Sequence, residues 1–135
     1  MAAKLQVSLV TPTRQVARIE VDMVTAPSVM GELGVLPDHR ALLADLQEGS
    51  VKLQAGGRAD LFAVSGGFIE VDRNHVTILA ETAEGRDEID TTRAQKSLRD
   101  AEKKLKSLEA SDPEYARMQG RIRRAQVRLE VAGVR

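Results

Sequence analysis

The chain has 135 residues, of which 42% are hydrophobic and 30% charged, and its formal net charge is zero; this composition is typical of a globular protein rather than a disordered one. It has no cysteine and two histidines, which argues against a disulfide framework, thiolate chemistry and a metal site. It contains neither an apolar run of about 18 residues nor a recognisable secretion signal, so we expect a cytosolic-side protein without direct membrane insertion.

Residues 1–84 show apolar and polar positions that alternate with a period of two. Leu5, Val7 and Leu9 begin this pattern, and a strand is predicted on each side of a turn at Gly56 and Gly57. Many short strands at fairly even spacing are typical of an all-β sandwich or barrel. We predict an N-terminal antiparallel β-sandwich over residues 1–84.

The segment from Gly31 to Gly49 is distinguished by glycines and a proline, which restrict or relax the backbone conformation. Gly31 and Gly34 indicate backbone positions that need a positive φ or close packing, and Pro37 fixes its own φ. We therefore predict a structured loop here, neither a linker nor a helix.

Residues 85–89 are mostly polar, and the period changes from 2 to 3.6 after them. We predict a hinge over residues 85–89 and a helical domain over residues 90–135. Apolar residues there form two narrow stripes, separated by Asp112 as a helix N-cap and Pro113 as a first helical residue. This predicts an antiparallel two-helix hairpin. Such a hairpin should be only marginally stable alone, so we expect it to dock against another structural element. The fold class is thus α+β in two parts.

The net charge of zero conceals a difference between the two parts. Residues 1–89 contain 8 Lys and Arg and 13 Asp and Glu, a net charge of −5, whereas residues 90–135 contain 12 and 7, a net charge of +5. Such a split predicts modules with different partners. Only three aromatic residues are present in the chain, which leaves few platforms for base stacking and disfavours a nucleic-acid partner.

No recognisable catalytic motif is present. The sequence lacks a phosphate-binding loop ending in G-K-[ST] and a strand-linked G-x-G-x-x-G fingerprint, and no Ser, His and Asp set stands out. A chain with two histidines and no cysteine has few ways to perform acid–base or nucleophilic chemistry. We predict that it is not an enzyme.

Three motifs together resemble the epsilon subunit of bacterial F-type ATP synthases. They are G-E-L-G-V-L-P-x-H-x-x-L-L from Gly31, S-G-G-F from Ser65 and E-I-D-x-x-R-A from Glu88, in order along the whole chain. The resemblance implies a non-catalytic subunit of the rotating central stalk, in a hetero-oligomeric complex that couples hydrogen ion transport to ATP synthesis. It also implies a peripheral location at the cytoplasmic face of the bacterial inner membrane, and a link between the gamma subunit and the membrane ring of c subunits.

The resemblance implies that Glu32 and His39 contact gamma and the membrane ring. The simpler interpretations are an ordinary exposed carboxylate for Glu32 and a loop hydrogen bond for His39. A stand-alone interaction module, presenting a basic helical hairpin to an acidic protein or nucleic acid, is the alternative to the stalk function.

Some members of the family bind ATP through the I-D-x-x-R-A motif and an upstream acidic residue. The matching residues here are Glu84, Ile89, Asp90, Arg93 and Ala94. A further arginine of the family falls one residue early, at Arg99, and the expected position holds Asp100, which would repel phosphate. No cofactor is required by this interpretation, and ATP is a candidate regulatory ligand. The alternative is a plain helix start capped by Asp90.

Basic residues concentrate in the second predicted helix. The resemblance implies that they dock on an acidic region of the catalytic beta subunits, with alpha as a further candidate, and thereby inhibit ATP hydrolysis; they are Arg117, Arg121, Arg124 and Arg128. The simpler interpretation of the same run is a solvated helix face.

Overall fold

The computed structural model describes residues 3–134. They form two five-stranded β-sheets and two α-helices. The strands are β1 (Leu5–Val10), β2 (Gln15–Val21), β3 (Met23–Ser28), β4 (Gly31–Val35), β5 (Leu42–Asp45), β6 (Gly49–Ala55), β7 (Arg58–Ser65), β8 (Phe68–Asp72), β9 (His75–Leu79) and β10 (Thr82–Gly85). A 3₁₀ turn at Arg86–Glu88 precedes the helices α1 (Thr91–Lys106) and α2 (Pro113–Ala132). No helix in residues 3–134 is long and apolar enough to cross a membrane.

The predicted two-part α+β fold is confirmed. Sheet A has the strand order β2-β1-β9-β8-β5, and sheet B has the order β10-β7-β6-β3-β4. Between the named strands of residues 3–134 the pairs are antiparallel, except that β1 pairs with β9 in parallel. The chain passes through both sheets before β9 returns beside β1, and this long connection permits the parallel pair.

The period-two alternation places the sandwich core between the sheets. Leu5, Val7 and Leu9 of β1 are at most 1% exposed, and they share one apolar cluster with Val51 and Leu53 of sheet B. The cluster draws on strands of both sheets and contains no residue of either helix. Burial of these aliphatic side chains therefore stabilises the sandwich independently of the helices.

The prediction of a structured loop from Gly31 to Gly49 is wrong for much of that segment. It contains β4 and β5, which form edge strands of sheets B and A. Gly31 has a positive φ of 115°, whereas at Gly34 a Cβ would lie 3.1 Å from the Met23 side chain. The glycines mark a turn and a close packing contact within paired strands, and the connections between Val35 and Leu42 and between Asp45 and Gly49 are the parts that lie outside the strands.

Both helices begin as predicted, with an aspartate cap. Asp90 Oδ1 accepts a hydrogen bond from Arg93 N at 3.0 Å, and Asp112 Oδ1 accepts one from Glu114 N at 2.9 Å. The chain leaves sheet B after Gly85 and enters α1 after Asp90, so the connection overlaps the predicted hinge of residues 85–89. A hinge movement there stays a prediction, and residues 1, 2 and 135 of the predicted domains lie outside the described residues.

The hairpin docks against the sandwich, which supplies the partner that the sequence required. Helices α1 and α2 pack on each other, and α2 packs on β6 and β7 of sheet B. Val131 is 1% exposed and belongs to a small apolar cluster with Ala63 of β7 and Ile89. The sequence analysis predicted one narrow apolar stripe for each helix, whereas α2 is buried on two sides, of which one faces α1 and the other faces sheet B.

Candidate functional site in the cleft between hairpin and sandwich

A cleft of about 730 Å³ lies between the helices and one end of the sandwich. The turn between β1 and β2 and the segment around β10 form its sandwich wall. The first half of α1 and two arginines of α2 form its helical wall. Its volume is within the range of about 300 to 1,000 Å³ that is common for small-molecule sites.

Four of the five residues predicted to bind ATP line this cleft together: Glu84, Asp90, Arg93 and Ala94. Ile89 is not among the lining residues; it is 9% exposed and packs with Ala63 and Val131. Ile89 therefore fixes the start of the hairpin on sheet B.

Two of these four residues, Glu84 and Asp90, already have hydrogen-bond partners within the chain. Glu84 Oε1 accepts a hydrogen bond from Arg128 Nε at 2.5 Å, and each side chain is about one-third exposed. Asp90 caps α1 through its carboxylate. A ligand that used Glu84 would therefore compete with Arg128.

Arg99 and Asp100 are neighbours on α1, but their side chains point in different directions. Asp100 lines the cleft, whereas Arg99 is exposed and is not among the lining residues. One residue along a helix corresponds to a rotation of about 100°. Arg99 is therefore not placed to substitute for an arginine at position 100, and a carboxylate faces the cleft there.

The cleft also contains basic residues that the sequence analysis did not assign to it. Lys96 follows Arg93 by three residues and shares its helix face, so helical spacing would have found it. Arg14 comes from the β1–β2 turn, and Arg121 from α2. Only the tertiary structure brings these two elements to α1.

Arg14 connects the sandwich to the segment between β10 and α1. Its Nη2 lies 2.7 Å from Glu88 Oε2 and donates to the Ala83 carbonyl oxygen at 3.3 Å. Glu88 Oε1 accepts a hydrogen bond from Gly85 N at 2.9 Å. This backbone hydrogen bond, together with the Arg14 pair, holds the pKa of Glu88 below its ordinary value, because both favour the charged carboxylate.

The basic residues predicted to dock on beta do not form one free face. Arg117 pairs with Glu114 of its own helix, and Arg121 Nε donates to Ser97 Oγ at 3.0 Å. Arg124 lies 3.7 Å from Glu48 of the sandwich, where Arg123 also approaches to 3.9 Å, and Arg128 pairs with Glu84. Docking on another chain would require the pairs with the sandwich to break.

Glu32 and His39 lie on the sandwich, away from the cleft-lining residues. Glu32 is an exposed residue of the edge strand β4, close to the turn at Met30, which is 91% exposed. His39 is in the loop between β4 and β5, with Nδ1 2.8 Å from the Arg40 carbonyl oxygen. Contacts of either residue with another subunit stay predictions.

Two protein-family models match the chain. "ATP synthase, Delta/Epsilon chain, beta-sandwich domain" matches residues 4–86, and "ATP synthase, Delta/Epsilon chain, long alpha-helix domain" matches residues 87–133. The chain belongs to this ATP synthase family.

Curated relatives identify the epsilon branch of the family, as the motifs predicted. "ATP synthase epsilon chain 2" of Syntrophotalea carbinolica is 44% identical over 133 residues, which cover 98% of this chain and 96% of the relative. "ATP synthase epsilon chain" of Herpetosiphon aurantiacus is 47% identical over 131 residues, or 97% and 96% of the two chains.

Solved structures agree with the fold of this family member. A chain in the structure of the Euglena gracilis mitochondrial ATP synthase (OSCP/F1/c-ring) superposes with a TM-score of 0.74 at 26% identity, covering 98% of this chain and 79% of that chain. A chain in the Tetrahymena thermophila mitochondrial ATP synthase (central stalk/c-ring) gives a TM-score of 0.63 at 18% identity, covering 96% and 97%. The second likeness concerns the fold alone.

Proposed function

We propose that this chain is a non-catalytic subunit of the central stalk of a bacterial F-type ATP synthase, with a helical hairpin that inhibits ATP hydrolysis when it leaves the sandwich. The observation that carries this proposal is the docking of α2 on sheet B. Partly exposed ion pairs to Glu48 and Glu84 and a small apolar cluster hold it there, while the sandwich core lies elsewhere. The hairpin can therefore separate from a sandwich that stays folded.

The sandwich would link the gamma subunit to the membrane ring, so that the torque from proton flow reaches the catalytic sites. An apolar row on the outer face of sheet A supports a protein contact there: Phe68 and Leu79 are paired across β8 and β9 and are 40% and 36% exposed. Leu43 on the neighbouring β5 is 66% exposed. We assign this row to gamma, and the exposed turn at Met30 with Glu32 to the ring.

The hairpin would act as a brake with two states. In the docked state, Arg124 and Arg128 face carboxylates of the sandwich. In the extended state, the same arginines would face the acidic region of a beta subunit, since a cation cannot serve both partners at once. Any ligand or partner shifts the balance only by binding the two states differently.

ATP is the candidate regulatory ligand of the docked state. The cleft has walls from both domains, so a ligand that fills it would stabilise the docked hairpin. The complex would be peripheral at the cytoplasmic face of the inner membrane.

Hydrolysis by a reconstituted catalytic sector tests the brake. We compare the full-length chain with a chain that stops after Glu88 and retains the whole sandwich core. Truncation should raise ATP hydrolysis while the shortened chain still copurifies with gamma. Unchanged hydrolysis in an assembled complex would refute the brake, and failure of both chains to join gamma would refute the stalk assignment.

A further inference from the structure

The carboxyl end of α2 lies against the connection between sheet B and α1. Helix α2 packs on the 3₁₀ turn Arg86–Glu88 as well as on β6 and β7. Gly133 ends α2 with a φ of 80°, and a Cβ on this glycine would lie 2.7 Å from Arg86 Nη2. The guanidinium of Arg86 therefore lies beside the backbone of the residue that ends the helix.

Charge favours this placement of Arg86. The carboxyl end of a helix carries a partial negative charge, and a nearby cation stabilises it. The last turn of α2 contains no basic residue, and its exposed Glu130 adds a full negative charge. Arg86 makes no ion pair within residues 3–134. From outside the helix, Arg86 supplies the cation that the last turn lacks.

The same turn of α2 also makes an apolar contact with the connection. Val131 is 1% exposed and shares a small cluster with Ile89 and with Ala63 of β7, both of which are also buried. Arg86 begins the 3₁₀ turn, and Ile89 directly follows it. One turn at the end of α2 thus contacts the connection at both of its ends.

A bend anywhere in this connection would break a contact of the last turn. A bend before Ile89 would pull the last turn away from Arg86 and from Ala63, which stay with the sandwich. A bend after Ile89 would pull the last turn away from Ile89 itself. The hairpin therefore cannot swing about this connection while its last turn keeps all three contacts.

We propose that the last turn of α2 is a latch on this connection, and that undocking of the hairpin requires the latch to open. The ends of helices open locally at low free energy. The last turn can therefore unwind while the ion pairs of Arg128 and Arg124, about one and two turns earlier, stay intact. A partner that holds the unwound end of α2 would favour the undocked hairpin. The proposal deepens the brake of the proposed function, on which it rests, by naming the element that controls its release.

Pulsed electron paramagnetic resonance on the isolated full-length chain tests the charged half of the latch. Nitroxide labels at Arg58→Cys on the sandwich and Gln126→Cys on α2, both exposed positions, report the docked and undocked populations. Arg86→Gln should lower the ratio of docked to undocked chains about two- to fivefold, the range expected for a charge at a helix end. Arg40→Gln removes an exposed arginine of the sandwich that makes no ion pair within residues 3–134, and should leave the ratio unchanged.

Shortening the chain tests whether both contacts belong to one latch. A chain that stops after Glu130 lacks Val131 and the helix cap but keeps the arginines of the ion pairs, and its ratio should fall about tenfold. Arg86→Gln should then have no further effect, because the end of α2 that it contacts is gone. Val131→Ala in the full-length chain should lower the ratio about fivefold, whereas Val29→Ala, at an exposed turn, should not change it.

Equal docked populations in the full-length and shortened chains, with urea unfolding showing an intact sandwich, would overturn the latch. An effect of Arg86→Gln that persists in the shortened chain would also overturn it, because Arg86 would then act elsewhere. These distances are measured without the catalytic sector and therefore judge the latch. The brake is judged separately by the hydrolysis assay, so failure of one can be told from failure of the other.

Discussion

Replacing both Glu48 and Glu84 with glutamine should release the hairpin from the sandwich in a measurable fraction of chains. These two carboxylates are the sandwich partners of the arginines on α2 in the described residues. Glutamine keeps the size of the side chain and removes its charge. The double substitution therefore tests the ion pairs without opening the apolar contact beside them.

The expected size of the effect follows from distance and exposure. The Glu84–Arg128 pair is short, at 2.5 Å, with both side chains about one-third exposed, and after solvent screening such a pair contributes up to about 1 kcal/mol. The contacts of Glu48 with Arg123 and Arg124, at 3.9 and 3.7 Å, contribute about 0.5 kcal/mol together. A loss of about 1.5 kcal/mol lowers the docking equilibrium constant about tenfold.

Pulsed electron paramagnetic resonance can measure the docked population. The chain has no cysteine, so Arg58→Cys at the start of β7 and Gln126→Cys on α2 give two specific label sites, both at exposed residues. We expect a second, longer distance to grow in the nucleotide-free double variant. Glu32→Gln with Glu70→Gln removes two exposed charges that make no ion pair with the helices, and should leave the distribution unchanged.

Salt provides an independent check on the same pairs. At 1 M salt the Debye length falls to about 3 Å, so the unsubstituted chain should move toward the distribution of the double variant, which should itself respond little. If the double variant and the unsubstituted chain give the same distances at low salt, the apolar cluster alone holds the hairpin. The assignment of docking to these ion pairs would then be refuted.

Three further outcomes are expected. Gly67→Ala should destabilise the sandwich by about 3 kcal/mol or more in urea unfolding, since φ is +99° and a Cβ would lie 1.8 Å from a backbone oxygen; Gly57→Ala, in open space, should change stability little. The folded pKa of Glu88 is lowered, so the stability it contributes is present above the ordinary glutamate pKa of about 4.3 and is lost as pH falls through the folded pKa. The unfolding midpoints of the unsubstituted chain and Glu88→Gln should therefore converge on acidification, and a constant difference would contradict this. Phe68→Asp should weaken copurification with gamma while Ala59→Asp does not; equal retention would argue against the apolar row as the contact.

Much of the architecture could be predicted because it depends on local periodicity. A period of two over residues 1–84, a period of 3.6 after residue 90 and aspartate caps are features of neighbouring residues, and the structure confirms them. The strands β4 and β5 were missed because edge strands bury only part of their length and because Gly31 and Gly34 suggested turns. Their pairing with β3 and β8 depends on distant segments, which local patterns do not report.

The cleft was predictable only in part. The motif and its upstream acidic residue identified Glu84 on the sandwich wall and Asp90, Arg93 and Ala94 at the start of α1, and the helical repeat extends the helical face to Lys96. Arg14 is 79 residues from Arg93 in sequence, the difference between positions 93 and 14. It reaches the cleft because the β1–β2 turn lies at the same end of the sandwich as α1, a relation set by the sheet topology.

The parallel pairing of β1 with β9 has a consequence for how the protein is made. Strand β1 lies in the interior of sheet A, between β2 and β9, so the first strand to be synthesised waits for residues 75–79 before both of its edges are paired. Such long-range closure is slow compared with local hairpin formation. The helices follow β9 in the chain, so the strand that completes sheet A is synthesised before the hairpin that packs on sheet B. Anything that delays the pairing of β9 with β1 would therefore leave one edge of β1 unpaired.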